Sequence, residues 1–276
     1  MNIPSAPQVI DIGLLSRFEP ITLERMDSIR LMNRLDTKFI TDTLTLESIL
    51  EDALRHGYMA FECDGERMHA YDSIYFDTAD LKMFTEHRRG KLVRQKIRTR
   101  VYQESGLCFL EVKKKNNHSR TKKKRIRIPQ TDFQDFRNDS EACSWLASNS
   151  GYHRDNVHPA IETSFNRITL VNKGLTERLT IDTSVTFRNL RTGGSSDLGA
   201  TVIIELKQDG RIQSEMKDIL LEHRIKPFRI SKYCIGTVLT DSGMAAGRFK
   251  QKIRHIDKLN KNFYIKCYNP VLLRPL

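Results

Sequence analysis

Apolar and charged residues alternate strictly in several segments of the chain, which is the period-2 pattern of half-buried β-strands. Between residues 94 and 102, Ile97 and Val101 are expected on one face, and Arg98 and Arg100 on the other. Comparable patterns, bounded by glycine or polar turns, predict further strands. The predicted strands cover residues 33–40, 71–78, 91–103, 107–115, 121–129, 160–171, 177–188, 200–208 and 229–234.

Helical spacing of apolar residues is confined to shorter stretches between these strands. Leu46, Ile49, Leu50 and Ala53 recur at helical intervals, and Gly57 follows as a stop. Further helices are predicted over residues 23–31, 80–89, 131–149 and 214–225. Strands in antiparallel-looking succession with a few interposed helices indicate an α+β fold built on a large antiparallel sheet or barrel.

The 276 residues suit a large domain with a core of its own, and the sequence divides into three segments. Residues 1–20 are predicted to be a loose leader, residues 21–245 the main domain, and residues 246–276 a basic tail. The tail holds eight Lys or Arg and one acid, so it supplies +7 of the net charge of +12. It is either a solvated or docked segment, or a contact to a polyanionic ligand, to an anionic membrane surface or to a membrane-protein partner.

Targeting signals are not evident in the sequence. No window approaches the roughly 18 apolar residues of a membrane helix, and the N-terminal residues lack the basic and apolar regions of a signal peptide. We therefore expect a cytoplasmic protein, with membrane association through the basic tail left open. Five scattered cysteines without a Cys-x-x-Cys pair predict reduced thiols rather than disulfides or a zinc site.

The charged faces of six predicted strands are strongly cationic. Their charged positions are Arg34, Asp36 and Lys38; Arg94, Lys96, Arg98 and Arg100; Glu111 and Lys113; Lys123, Arg125 and Arg127; Arg178 and Asp182; and Glu205 and Lys207. A solvated sheet face explains any one of these strands, but like charges opposed across neighbouring strands destabilise a sheet. Closing the sheet so that these faces line a tunnel would create a site for a polyphosphate-like ligand.

A flat basic sheet that binds nucleic acid is the competing interpretation. Such sheets interleave aromatic residues that stack on bases. Aromatic residues make up 8% of this chain, and its one tryptophan, Trp145, falls in a predicted helix. The cationic faces offer mainly Tyr102 and Phe109. Nucleic acid is therefore not an expected partner.

The most basic run is FLEVKKKNNHSRTKKKRIRIP, residues 109–129, which holds nine Lys or Arg and a single carboxylate, Glu111. It is predicted to be a hairpin with NNHSR as its turn. Because residues two apart share a face of a strand, Lys113 and Lys123 are expected on the tunnel side. Lys114 and Lys124 are expected on the other side, as ordinary surface charge.

Seven motifs in one order resemble the VTC polyphosphate polymerase domain, a branch of the triphosphate tunnel metalloenzyme superfamily that also holds the CYTH triphosphatases. The motifs are KIRTR, FLEVKKK, KKKRIRI, SFNRITL, ERLTIDT, VIIELK and RISKYCIG, and the resemblance runs from about Arg34 to Gly236. It implies an antiparallel eight-stranded β-tunnel with flanking helices. It also implies transfer of the γ-phosphate of ATP to a growing polyphosphate chain with a divalent metal, Mn²⁺ or Mg²⁺. ATP and pyrophosphate or polyphosphate are then the expected partners.

The resemblance also implies roles for individual residues. The implied catalytic residues are Arg98, Arg100, Lys113 and Lys232. The implied phosphate ligands are Lys38, Lys123, Arg125, Arg167, Arg178 and Ser231, where Lys123 is preferred to its neighbours because it shares a face with Arg125. The implied metal ligand is Glu205. Two positions depart from the pattern, because Phe165 stands where a tyrosine is expected and Arg34 replaces a carboxylate of the CYTH opening motif.

Three functions fit this pattern: a polyphosphate polymerase, a triphosphatase, and a non-catalytic binder of polyphosphate or nucleotide. A phosphate acceptor is already anionic and needs no general base, whereas water needs carboxylates to activate it. The predicted tunnel is rich in cations and poor in carboxylates, and Glu111 and Asp182 are expected to be salt-bridge partners. The sequence therefore favours the polymerase over the triphosphatase and leaves the binder open.

Overall fold

A computed structural model of the chain describes residues 11–27, 29, 34–117, 121–210 and 212–268. The helices are α1 Ile12–Ser16, α2 Leu23–Asp27, α3 Thr43–Arg55, α4 Lys82–Arg89, α5 Ser140–Asn149, α6 Glu215–Glu222, α7 Lys232–Thr240 and α8 Lys250–Tyr268. The strands are β1 Glu19–Ile21, β2 Leu35–Asp42, β3 Met59–Phe61, β4 Met68–Asp77, β5 Arg94–Tyr102, β6 Leu107–Lys115, β7 Thr121–Ile128, β8 His158–Val171, β9 Glu177–Asn189, β10 Ser195–Asp197 and β11 Thr201–Gln208.

Eight strands form one antiparallel path in the order β2-β11-β9-β8-β4-β5-β6-β7. The short strands β1, β3 and β10 attach to its sides, and β1 pairs with β3 in parallel. This arrangement confirms the predicted α+β class, with a large antiparallel sheet and flanking helices. One feature of the expected barrel is not found: within the described ranges, no hydrogen-bonded pairing joins the two end strands, β2 and β7.

The sheet nevertheless curls. The evidence is the segment Phe228–Ser231, here called the strap, which contacts two strands that are far apart in the sheet order. The strap reaches β2 through two hydrogen bonds: its Phe228 N–H donates to the Lys38 carbonyl at 2.6 Å, and Lys38 Nζ donates to the Ile230 carbonyl at 3.3 Å. At the neighbouring residue, Lys96 Nζ of β5 donates to Ser231 Oγ at 3.1 Å. Four strands separate β2 from β5 in the sheet order. Both can reach adjacent strap residues only because the sheet folds toward itself.

Two apolar clusters cover the outer face of the curled sheet. One cluster joins α3 and α6 to β2, β11, β9 and β8, and it includes Phe39, Leu46, Ile49, Leu50, Ile168, Leu179, Ile181, Ile204, Met216 and Leu220. The other joins α5 to β4, β5, β6 and β7, and it includes Ile74, Phe76, Ile97, Val101, Leu110, Val112, Phe136, Ala142 and Leu146. The apolar positions of the alternating strands therefore face the helices, and the charged positions face inward.

Several helices start at side chains that accept backbone N–H groups. Asp42 accepts from Thr45 N–H at 2.9 Å and begins α3, and Asp139 begins α5 in the same way. Asp77, at the end of β4, accepts from the N–H groups of Met83 and Phe84 at 2.8 Å each. Asp77 also accepts from the Tyr233 hydroxyl, so one buried carboxylate ties β4 to α4 and α7.

The prediction of a strand over 229–234 is wrong, because α7 begins at Lys232. Ser231 is its N-cap, and its hydroxyl accepts from the Cys234 N–H at 3.4 Å. Tyr233, Cys234, Ile235 and Val238 are buried in a cluster at one end of the inner face, together with Phe84 and Phe187. Tertiary burial of this apolar helix therefore outweighs the strand-like composition of the six-residue window.

Three further segments differ from their predictions in detail. The predicted helix 131–149 is helical as α5 only from Ser140, and two 3₁₀ turns precede it. Within the predicted leader, α1 and β1 are ordered, and Leu14, Leu15 and Phe18 are buried in the α3 cluster. The described part of the basic tail consists of a short 3₁₀ turn that contains the buried Phe249 and the helix α8, which buries Ile256 and Phe263. Part of the NNHSR turn, residues 118–120, lies outside the described residues.

Candidate functional site

The cationic face is the set of charged side chains on the inner side of the sheet. Its basic members are Lys38, Lys96, Arg98, Arg100, Lys113, Lys123, Arg167, Arg178, Lys207 and Lys232, and its acidic members are Glu111, Asp182 and Glu205. Strand register sets them side by side: Glu205 lies opposite Lys38, Arg178 opposite Lys207, Asp182 opposite Arg167, and Glu111 opposite Arg98. All the predicted site residues on β2, β5, β6, β8, β9 and β11 therefore share this face.

One row of the cationic face is formed by lysines alone. Lys96, Lys113 and Lys123 occupy directly opposed positions on the neighbouring strands β5, β6 and β7. Like charges in such positions repel each other. The row would therefore be stabilised by an anion that contacts several lysines at once.

Arg98, Glu111 and Lys123 form the first of two buried ion-pair clusters. Arg98 Nε donates to Glu111 Oε2 at 2.7 Å, and Lys123 Nζ pairs with Glu111 Oε1. Burial alone would raise the pKa of Glu111, but Arg98, Arg100 and Lys123 hold that pKa well below its usual range. Glu111 is therefore an anion at neutral pH, and the expectation that it is a salt-bridge partner is confirmed.

Arg167, Asp182 and Lys232 form the second cluster, which joins the sheet to α7. Arg167 donates to both carboxylate oxygens of Asp182, at 2.6 and 2.8 Å, and Lys232 Nζ donates to Asp182 Oδ2 as well. Burial lowers the pKa of Lys232 to about 8, although Asp182 favours its charged form. Asp182 is also a salt-bridge partner, as expected, and it fixes Lys232 at the N-terminus of α7.

A stacked aromatic pair lies beneath these cations. The rings of Tyr71 and Phe165 are 5.5 Å apart and nearly parallel. Lys232 Nζ lies 4.1 Å from the Phe165 ring centroid, and the guanidinium carbons of Arg167 and Arg100 lie 5.2 and 5.6 Å from it. Cations over an aromatic face are attracted by its quadrupole. Phe165 thus holds three cations without the hydroxyl that the resemblance led us to expect.

Arg100 differs from Arg98 and Arg167 in its partners. Its Nε donates to Ser73 Oγ at 2.9 Å, and among the described residues it has no carboxylate within 4.0 Å. Burial and the neighbouring cations Arg98 and Arg167 lower its pKa. Arginine keeps its charge in proteins even so. The site therefore contains a buried, oriented guanidinium that has no direct carboxylate partner among the described residues, although Glu111 nearby favours its charged form.

Glu205 is the carboxylate that the resemblance assigns to a metal. Burial would raise its pKa, but Lys38, Lys207 and Lys113 hold that pKa well below its usual range. Within the described residues, no group of three or more His, Cys, Asp or Glu side chains could hold a metal ion. One carboxylate suits a divalent cation that arrives with its remaining ligands supplied by phosphate oxygens and water, as is common for Mg²⁺.

The remaining predicted residues lie at the margins of the site. Arg125, on the end strand β7, is exposed and packs its guanidinium carbon 4.6 Å from the Phe109 ring centroid. Arg178 lies beside Lys207. Ser231 is the last residue of the strap, where it accepts from Lys96 and caps α7.

Three residues of the site were missed as functional candidates: Lys96, Lys207 and Tyr75. Lys96 follows the same alternation as Arg98 and Arg100, so its position was available from the pattern. Tyr75 gave no such signal, because a tyrosine in an apolar strand usually belongs to the core. Its hydroxyl accepts from Arg98 Nη1 at 3.2 Å. Burial would raise the pKa of Tyr75, but Arg98, Lys96, Arg100 and Lys232 together lower it to about 7.

Fold and site together define an α+β protein whose curled antiparallel sheet presents a cationic inner face suited to a polyanion. A family model, the VTC domain, matches residues 33–240. The chain therefore belongs to the VTC domain family. A comparison with curated proteins found no match.

Two solved structures are similar to this chain. A candidate adenylyl cyclase from Hippeastrum, described as having a dominant triphosphatase activity, is 15% identical and covers 78% of this chain and 98% of its own, with a TM-score of 0.48. A candidate adenylate cyclase from Bacillus halodurans is 12% identical and covers 72% of this chain and 96% of its own, with a TM-score of 0.47. In the part of the chain that the structure describes, no helix is both long and apolar enough to cross a membrane.

Proposed function

We propose that the protein is a polyphosphate polymerase that transfers the γ-phosphate of ATP to a growing polyphosphate chain on the cationic face. The observation that supports this choice is the state of its buried carboxylates. Glu111 is shared by Arg98 and Lys123, and Asp182 is shared by Arg167 and Lys232. Carboxylates neutralised in this way are poor bases for activating water. A phosphate acceptor needs no such base.

The chain's own residues act by positioning and by charge. Phosphoryl transfer develops charge on the equatorial oxygens, and fixed cations stabilise it without reorganising. In the proposed mechanism Arg98, Arg100, Lys113 and Lys232 contact the transferring phosphate. The remaining phosphate groups are bound by Lys38, Lys123, Arg125, Arg167, Arg178 and Ser231, with Lys96 and Lys207 added from the structure.

The metal enters this mechanism as a partner of the phosphates. Glu205 would hold it from the β11 side, between Lys38 and Lys207. When bound, a divalent cation would neutralise charge on phosphate oxygens. Lys38 and Lys207 keep the Glu205 carboxylate ionised and ready to coordinate.

The test is a product assay with purified protein, ATP and Mn²⁺, resolved on a gel. We expect long polyphosphate in the wild type and a loss of about 100-fold or more in Arg100→Met, because one electrostatic contact to the transition state is removed. Arg188→Met is the matched control, since Arg188 pairs with Glu162 on an exposed surface. It should polymerise like the wild type.

Other products would identify the rival functions. Release of orthophosphate without polymer would establish a triphosphatase and reject the polymerase. Tight polyphosphate binding with neither product would establish a binder. Both results would leave the family and the fold unchanged.

A further inference from the structure

A second basic pocket lies on the outer face of the sheet, behind the lysine row of the cationic face. Here called the outer pocket, it has a volume of about 480 Å³, and its walls come from β5, β6, β7 and the end of α5. Its basic lining residues are Lys114, Lys115, Lys122 and Lys124. Its other lining residues are Val93, Gln95, Val112, Asn116, Asn117, Ser148 and Asn149. The volume falls within the roughly 300–1,000 Å³ of small-molecule sites.

The charge of the outer pocket is not balanced by its own walls. Four lysines line it, and no Asp or Glu is among the lining residues. Lys114 and Lys122 occupy directly opposed positions on β6 and β7, where like charges repel. The side-chain amide of Asn117 adds a hydrogen-bond donor at the same end of the hairpin. This combination suits a phosphate oxyanion better than any neutral ligand.

Protection of a sheet edge is a weaker explanation for these lysines. Lysine on an exposed edge strand prevents unwanted pairing with other chains, and Lys122 and Lys124 of β7 fit that role. Lys114 does not, because β6 is paired on both sides, with β5 and with β7. A lysine on an inner strand that turns into a concave pocket is placed for a ligand.

The outer pocket continues the cationic face around the β6–β7 hairpin. Lys113 and Lys123 face inward, and their chain neighbours Lys114 and Lys122 face outward. β7 is an end strand of the sheet order, so only one strand's width separates the two lysine pairs at this side. A flexible polyanion that leaves the lysine row can therefore reach the outer pocket by passing over β7.

We propose that the outer pocket is a second binding site for condensed phosphate, which holds the distal part of a long polyphosphate chain while its end lies on the cationic face. The proposal rests on the ligand class of the proposed function. Its consequence is discrimination by length: a chain that reaches both sites gains avidity from the effective concentration at the second site, whereas a short phosphate does not.

The experiment compares two ligands in three proteins. The ligands are tripolyphosphate and long-chain polyphosphate, and the affinities are measured by calorimetry. The test variant carries Lys114→Gln, Lys122→Gln and Lys124→Gln. The control variant carries Arg17→Gln, Lys173→Gln and Lys226→Gln, which remove the same charge from exposed positions outside the cationic face, the outer pocket and the basic tail.

We expect the test variant to lose about tenfold or more in long-chain affinity and to keep its tripolyphosphate affinity, because only the second contact is removed. The control variant should match the wild type for both ligands. Equal long-chain affinity in the two variants would overturn the proposal, and so would an equal loss for both ligands in the test variant. If the wild type binds neither ligand, the proposed function fails first and this inference fails with it.

Discussion

At the scale of single residues, the ion pair of Arg98 with Glu111 has two roles, one in the stability of the fold and one in the proposed binding of phosphate. Glu111 is 2% exposed, so it needs its cations to stay ionised. Arg98 also belongs to the face that is proposed to bind phosphate. An arginine held by a carboxylate is oriented, but part of its charge is already compensated. Arg100, which is held by Ser73, keeps its charge for a ligand.

A double-mutant cycle measures the contribution of this ion pair to stability. Arg98→Met alone should destabilise the fold by about 3–5 kcal/mol, because it removes the strongest partner of a buried carboxylate. Arg98→Met with Glu111→Leu should recover more than half of that loss, since replacing both partners with apolar side chains is often nearly neutral. Urea unfolding measures both. A double variant as unstable as the single one would show that the pair is not the source of the loss.

At the scale of elements, the strap and α7 bring the ends of the curled sheet together. The strap contacts β2 through Lys38 and β5 through Lys96, and Lys232 at the start of α7 contacts β9 through Asp182. One helix terminus therefore positions cations from two strands, Lys38 and Lys96, together with its own Lys232. The cap residue Ser231 is the point where these contacts meet.

The substitution Ser231→Ala tests the positioning role of this N-cap, and Ser214→Ala, at the N-cap of α6, is the matched control. Ser214 caps α6 on the outer face, and its hydroxyl accepts from Lys217 N–H at 3.2 Å. Each substitution should cost about 1 kcal/mol or more in unfolding free energy, the usual value of a serine cap. Only Ser231→Ala should also weaken tripolyphosphate binding, because Lys96 loses its partner. Equal binding by both variants in calorimetry would contradict a positioning role for the strap.

The elements also show what local pattern can and cannot predict. Alternation over residues such as Arg98, Ile97 and Val101 predicts both the strand and the face of each side chain, and the register of β5 with β6 confirms it. The strands β1 and β3 are three residues long each, too short for a periodic signal. The helix α7 was missed because the window ended at Cys234, before Val238 completed its buried side.

The partners in the ion pairs of the site could not be predicted from the sequence, for a different reason. Arg167 faces Asp182 only because the pairing of β8 with β9 shifts register between Ser164 and Asn166. Such irregularities are not encoded in the alternation of either strand. Lys232 reaches Asp182 across 50 positions of the chain, through the placement of a whole helix. The identity of the charged residues was therefore predictable, and their partners were not.

At the scale of the whole molecule, the crowded cations couple ligand binding to protonation. Burial lowers the pKa of Lys96, Lys207 and Lys232 to about 8, below the ordinary lysine value. These lysines are partly neutral near that pH in the free protein. Because the folded pKa is below the unfolded value, stability from these groups rises as pH increases from about 8 toward 10.5.

Bound phosphate should raise the lowered pKa values of these lysines. It favours the charged lysines, raises their pKa and also raises that of Tyr75, so binding tripolyphosphate near pH 8 should take up protons. Calorimetry in two buffers of different ionisation enthalpy measures the uptake. The same titration near pH 6, where the lysines are already charged and Tyr75 is neutral, is the control and should show little uptake. Buffer-independent heats near pH 8 would refute the coupling.

The pairing of β2 with β11 has a consequence for how the protein is made. β2 ends at Asp42 and its only long partner in the described sheet, β11, runs from Thr201 to Gln208. During synthesis β2 therefore waits unpaired until the ribosome has produced most of the chain. Pairings of such wide sequence separation fold slowly and leave strand edges exposed in the meantime. A nascent chain stalled before Thr201 should be a client for chaperones, whereas one stalled after α8 should be protected from proteolysis.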